Sequence, residues 1–353
     1  MDPRVDCFCH ILPPRFDKAR WDRYERTHFA DHSPSHVKFV GGGKAITKNK
    51  NIQVLTDLDA RFKMMDQLDG YRQVISVASP TIEVVAPDDS DHVAKILNDE
   101  LAEIVQKHPR YFAGAAGSLP MDKPDAAAKE LERMIKDLKH VSVQLFSNVN
   151  GKPLDLPEFR PIFEIASKHD LPILLHPARA KSFADYSTES YSKYVIWQVI
   201  GWPYETSAAM FRIAFSGILD EFPNLKIICH HTGAMIPFFA GRIQSMFDMF
   251  GELFIQERGR PLERPVLDYF RQFYADTATF TASSIDCACD FLGADHVLYG
   301  TDAPFDAEGG MFSIRECTTA INKCNQSAAD KSKMFYKNFE TVFKVPAAVP
   351  VAK

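Results

Sequence analysis

No apolar run in this chain reaches the length of a membrane span. The opening Met1-Asp2-Pro3-Arg4 lacks the basic and hydrophobic regions of a secretory signal. Basic residues are not in excess: 41 Lys and Arg stand against 46 Asp and Glu, a formal net charge of −5. With charges mixed evenly there is no basic face, which argues against nucleic acid as a partner. Internal repeats, low-complexity tracts and interdomain linkers are absent. No Gly-x-Gly-x-x-Gly turn follows the first apolar run, which disfavours a doubly wound dinucleotide-binding sheet. Cysteine numbers seven. An odd count without an export signal reads as reduced thiols in a cytoplasm. The pairs Cys7/Cys9 and Cys287/Cys289 have a spacing that soft metals accept, but buried free thiols are the simpler reading.

What is present is apolar content for one large core, 46% of 353 residues. That length suits one barrel domain with insertions better than two ordinary domains. Short apolar runs alternate with amphipathic ones. Strands are expected at Val5–Ile11, Val74–Ala78, Phe112–Ser118, Val141–Phe146, Pro172–His176, Lys226–His230, Phe273–Thr277 and Val297–Gly300. Helices are expected at His92–Lys107, Asp125–Leu138, Glu158–Lys168, Tyr204–Leu219 and Ala328–Glu340. Eight strands separated by helices predict an α/β fold, a (β/α)8 TIM-like barrel spanning residues 1–353 as one domain. Residues 15–57 are polar, carry Gly41-Gly42-Gly43, and follow strand one, which makes them a lid candidate or a solvated insertion. Residues 345–353 read as a loose tail.

Polar residues gather where these strands end, the edge on which barrel active sites are built. Strand one ends in His10, strand five in His176, strand six in His230 and His231, and strand eight in Asp302. Any one of them is structural more often than not; four strands ending this way point to a shared site. Imidazoles and a carboxylate converging on one mouth suit zinc or a similar divalent ion. By alternation His230 is expected to face the helical layer, away from His231. Asp6 is expected on the face of Phe8 and His10 as a supporting group, and Arg61 with Asp66 as a structural helix-face pair. Trp197 and Trp202, in the loop after strand five, form either a wall for a planar substrate or ordinary packing.

The chain resembles the amidohydrolase superfamily, and within it the branch of aminocarboxymuconate-semialdehyde decarboxylase and related aromatic-acid decarboxylases. The matching pieces run from Asp6-x-x-x-His10-x-x-Pro13 through Arg61-Phe62-Lys63-Met64-Met65-Asp66-x-x-Asp69-Gly70 and Asn98-Asp99. They continue with Leu174-Leu175-His176-Pro177, Pro203-x-Glu205-Thr206, His231-x-Gly233 and Gly241-Arg242. Tyr274-x-Asp276-Thr277 and Gly300-Thr301-Asp302-x-Pro304-Phe305 complete the set.

The resemblance implies a metal-dependent, non-oxidative decarboxylase acting on an aromatic, heteroaromatic or enol-type carboxylic acid, commonly a dimer or tetramer. It implies His10, His176 and Asp302 as metal ligands, with His231 handling protons and Asp302 sharing that task. Phe8 stands where relatives carry a ligating histidine or glutamate. Zinc is the expected ion and manganese the second choice; the loss at Phe8 leaves a metal-free site as the alternative. The branch's arginine for the substrate carboxylate has no match at Asn51-Ile52-Gln53-Val54. Lys44, Lys48, Lys50 or Arg179 are the substitutes, and Phe8, Arg179, Trp197 and Trp202 the candidate substrate contacts. The same residues also suit hydrolysis of an ester, lactone or amide, or hydration of a double bond. A degenerate barrel kept for binding is the non-enzyme reading, with Phe8 its one argument.

Overall fold

The structure is a computed structural model describing residues 3–20 and 53–348. Seven parallel strands follow one another in a curled sheet: β1 (Arg4–His10), β2 (Tyr71–Ser76), β3 (Phe112–Ser118), β4 (Ser142–Phe146), β7 (Ile173–His176), β8 (Ile227–Cys229) and β9 (Tyr274–Ala275). A small antiparallel pair, β5 (Asn148–Val149) and β6 (Lys152–Pro153), lies between β4 and β7. Helices join the parallel strands, the longest of these connections including Ser90–Lys107, Gly201–Phe215 and Ile236–Arg258. Parallel strands need such crossovers, and covering them with helices is what makes their apolar runs nearly continuous.

Side-chain alternation divides the core. Leu174 and Ile228 point to the inner face with Val5, Phe8, Val74 and Leu298. Ile173, Leu175, Ile227 and Cys229 point outward onto Ile162, Phe163, Met210 and Ile213 of the helices. Burying each such side chain contributes about 1.5–3 kcal/mol. The register pairs His10 with Ser76 and Phe146 with His176, so the polar strand ends share one rim.

The eighth expected strand differs from the other seven. Only Val297 bridges β9, through Ala275. Beyond it the backbone divides its hydrogen bonds between both edges of the sheet. Leu298 N donates to Ala275 O at 2.8 Å, whereas Cys7 N donates to Tyr299 O at 2.9 Å. Asp302 N donates to Phe8 O at 3.0 Å, and His10 N to Ala303 O at 2.8 Å. Gly300 permits this approach: a Cβ there would lie 2.8 Å from the Cβ of Asp276 and 3.1 Å from that of Phe8.

Other expectations need correction. Strand β8 stops at Cys229, because His231 and Thr232 adopt left-handed backbone (φ 60° and 58°). The stretch Tyr204–Leu219 breaks at Gly217, whose φ of 87° ends one helix before Ile218–Glu221 begins. Arg61 and Asp66 are not a pair: Asp66 accepts from Arg110 and Tyr111 instead. The tail is tied down over residues 345–348, where Arg72 donates to the carbonyls of Pro346, Ala347 and Ala348. Residues 349–353 lie outside the described residues, as do residues 21–52, most of the lid candidate, and with them Lys44, Lys48 and Lys50. Among the described residues, no helix is long and apolar enough to cross a membrane.

Candidate metal centre

His10 closes β1, and its position is fixed from behind. The buried Arg61 guanidinium donates to the His10 carbonyl, to Gln73 Oε1 (2.6 Å) and to Val54 O (3.1 Å). His176 closes β7 on the inward face set by Leu174. On β8 the same alternation carries Ile228 inward, and His230, two residues on, follows it. His230 therefore faces the site and not the helical layer. The two-residue spacing from Ile228 thus leads to His230, and His231 is the residue that regular alternation would point outward. Its left-handed backbone swings it back, a conformation that costs a non-glycine residue about 1–2 kcal/mol. Thr232 N, donating to Asp276 Oδ1 at 2.8 Å, helps hold that turn. Asp302 is also left-handed, φ 59°. Such outliers clustered at one rim are a functional signature.

Three imidazoles present the same nitrogen to a common centre. Ser76 Oγ donates its one proton to Cys9 O (3.0 Å), so at 3.2 Å His10 Nδ1 is the donor to Ser76 Oγ. His176 Nδ1 lies 2.7 Å from Pro177 O and, facing a carbonyl, must donate. His230 Nδ1 donates to the Asp276 carboxylate, which is fully buried. In each ring Nε2 is left facing inward, and those of His10 and His230 are buried without a hydrogen-bond partner. Yet Asp302 Oδ1 lies 3.1 Å from His10 Nε2 and 3.4 Å from His230 Nε2. A carboxylate oxygen facing imidazole lone pairs at these distances calls for positive charge among them.

The electrostatics agree. Burial lowers the His10 pKa despite Asp302 beside it, and burial with neighbouring His10 and His230 pushes His176 well below the ordinary value. Burial alone would lower His230 too, but Asp276 and Asp302 override it and raise that group to about 10. Burial would raise Asp302, but His230, His10 and His231 together hold it well below the usual carboxylate range. Without a metal the two carboxylates keep a proton on His230; a divalent cation would take that proton's place among two neutral imidazoles and one ionised aspartate. The potential ligand nitrogens of His10, His176 and His230 lie within 4.8 Å of one another, as do ligand atoms of His230, His231 and Asp302.

Around these donors the walls are aromatic. Trp202 stands 5.7 Å from the His176 ring and 6.2 Å from that of His231, with Trp197 packed edge-on against it. Both tryptophans sit on helices, Ile196–Val199 and Gly201–Phe215, and not in a loop. Phe146 flanks His176 at 5.2 Å, and the half-exposed Phe305 stands 5.6 Å from His10. Phe8 is completely buried under the histidines, 4.0 Å from the ring of His230. Arg179 pairs with Glu205 at 3.0 Å, and its Nε is buried without a partner. Asp6 turns away to Tyr71 and Thr301, because the register of β1 slips between Asp6 and Cys9.

Thus His10, His176, His231 and Asp302 come together as the strand ends implied. Sequence reasoning turned His230 away from the site, gave no role to Asp276 and Phe305 beyond their place in the matching pieces, and did not name Ser76. The first had a legible signal, its two-residue spacing from Ile228.

The chain belongs to the amidohydrolase family, whose Amidohydrolase model matches residues 5–345. Among its relatives, γ-resorcylate decarboxylase of Polaromonas sp. is 31% identical over 81% of this chain and 87% of that protein. The 2-amino-3-carboxymuconate-6-semialdehyde decarboxylase of Dictyostelium discoideum is 29% identical over 86% of this chain and 82% of its own length. Among solved structures, 5-carboxyvanillate decarboxylase of Novosphingobium aromaticivorans, complexed with manganese and 4-hydroxy-3-methoxy-5-nitrobenzoic acid, shares the fold. It superposes with a TM-score of 0.82 at 24% identity, covering 97% of this chain and 96% of that one.

Proposed function

We infer that this chain is a metal-dependent, non-oxidative decarboxylase of an aromatic acid carrying a hydroxyl, amino or oxo group beside the carboxylate. The observation that carries this reading is the meeting of His10, His176 and Asp302 with His231 at one rim of a parallel sheet. Kinship with decarboxylases of aromatic and enol-type acids supports decarboxylation over hydrolysis.

His10, His176 and Asp302 hold the ion. Imidazole donors favour zinc, and manganese is the second choice because a structural neighbour carries it. A bound divalent ion supplies positive charge that orients the substrate's carboxylate and adjacent oxygen and stabilises developing negative charge.

His231 moves the proton. Its Nδ1 is buried without a partner, and its Nε2 lies 3.9 Å from Asp302 Oδ2. Burial and the neighbouring His230 lower its pKa, which favours the neutral ring and makes its protonated form a readier proton donor than a free imidazolium. It takes a proton from the substrate's hydroxyl or from water and delivers it to the ring carbon bearing the carboxylate. The carbon–carboxylate bond then breaks, CO2 leaves, and the carbon keeps the proton. Trp202 and Trp197 offer flat apolar surface to a planar ring. Arg179 is the candidate for an anionic group, and taking that role requires it to exchange its partner Glu205.

We read residues 297–300 as the eighth strand of a closed (β/α)8 barrel forming one domain. Free thiols at all seven cysteines support a cytoplasmic protein. Exposed Phe238, Met249, Phe250 and Leu253 along the helix Ile236–Arg258 support a homo-oligomer.

The experiment is elemental analysis of the purified protein joined to a CO2-release screen on γ-resorcylate, 5-carboxyvanillate and related hydroxybenzoates. Metal-dependent CO2 release is expected. Activity that survives thorough chelation, with no metal found, would refute the metal-dependent reading; ester or lactone hydrolysis without CO2 release would refute decarboxylation.

A further inference from the structure

We propose that His230, the residue that follows β8, is a fourth metal ligand, in place of the donor expected at position 8, where Phe8 stands. The inference rests on the metal-binding part of the reading above and adds a residue to it.

The geometry is specific. His230 Nε2 is buried, unpartnered and 3.4 Å from Asp302 Oδ1, the same oxygen that lies 3.1 Å from His10 Nε2. Its ring is 5.3 Å from that of His176 and 6.1 Å from that of His10, and the ligand nitrogens of the three lie within 4.8 Å. Its Nδ1 donates to Asp276, whose other oxygen accepts from Thr232 N and Ala278 N at 2.8 and 3.1 Å. A carboxylate anchored in this way, holding the far nitrogen of a ligating imidazole, is how metal-site histidines are commonly oriented.

Phe8 completes the argument. Its ring lies nearly parallel to that of His230, at 14° and 4.0 Å, and fills the space behind it. A donor at position 8 would compete for the volume and the coordination position that His230 occupies. The aromatic ring at position 8 therefore leaves a coordination position open, and His230, the residue after β8, fills it. His231, the next residue, is thereby left free for proton transfer.

Cobalt(II) substitution tests this on the intact protein. Each histidine bound through Nε2 carries one Nδ1–H proton, which gives a hyperfine-shifted, solvent-exchangeable signal in the proton spectrum. Three such signals are expected from His10, His176 and His230. Two signals, or failure of the protein to bind cobalt or zinc at all, would overturn the proposal. His230→Gly is expected to lose one signal and about tenfold to a hundredfold in zinc affinity, read by competition with a chromophoric chelator. Phe8→His/His230→Gly is expected to regain both, and unchanged affinity in His230→Gly counts against the proposal. If the glycine variant does not fold by circular dichroism, the wild-type signal count decides. Three signals from a protein that releases no CO2 would reject the decarboxylase reading and leave His230 as a ligand.

Discussion

The ring of Phe8 stacks on the ring of His230, 4.0 Å apart and within 14° of parallel. An apolar residue at a position where donors are expected is thus paired with a donor where none was expected. Both rings are fully buried, so the imidazole has little freedom to leave the centre it faces.

Replacing His231 with Ala is expected to slow turnover by about two to four orders of magnitude, the range for losing a positioned proton carrier. Metal content should remain close to that of wild type, because His231 is not among the proposed ligands. Full activity in the variant would remove His231 from the mechanism.

Asp276→Asn removes the charge that makes the His230 ring a good ligand, and its one carbonyl oxygen cannot accept from both His230 Nδ1 and the amides of Thr232 and Ala278. Metal affinity is expected to drop by about tenfold to a hundredfold. A chelator titration giving the wild-type constant would show that Asp276 only braces the turn at Thr232.

Arg61→Met should destabilise the protein by about 3–5 kcal/mol, since it leaves the carbonyls of His10 and Val54 and the side chain of Gln73 without their buried donor. Metal affinity should weaken with it, because the His10 backbone loses its support. Denaturant unfolding and metal titration are the measurements, and a stability within 1 kcal/mol or so of wild type would contradict this account.

Acid should act through His140. Burial lowers its pKa from the ordinary 6.5 to about 4, and it remains neutral beside Asn98 O at 3.0 Å. A depressed folded-state pKa gives stability that is present above 6.5 and is lost as pH falls through 4. The loss between pH 7 and 4 is about 3 kcal/mol. His140→Gln, which titrates nowhere in that window, is expected to lose that much less over the same range. Equal losses in the two proteins would place the acid sensitivity elsewhere.

Much of this protein can be read along the chain. Strand and helix periods depend on local side-chain pattern, and so the alternation of parallel strands and crossover helices was legible from Val5 to Glu340. Strand ends carry polar residues at recognisable places, so His10, His176, His231 and Asp302 could be named without coordinates. What the pattern could not supply was backbone conformation at individual residues. The left-handed turn at His231 and Thr232 is held by Asp276, more than forty residues away. It reverses one side chain against the alternation and so brings both histidines of the pair into the site. Arg61 looked like a surface partner for Asp66 because helical spacing is local, whereas its real acceptors lie on β1 and β2 and just before its own helix. The chain end looked loose by composition, yet Arg72 fastens it through carbonyls that carry no sequence signal. The segment at Val297 reads as a strand, but its hydrogen bonds divide between two neighbours because it lies between both edges of the sheet. Sequence therefore determined the elements and the types of chemical group. Long-range hydrogen bonds and close packing, which join residues far apart in the chain, decided which of those groups face one another.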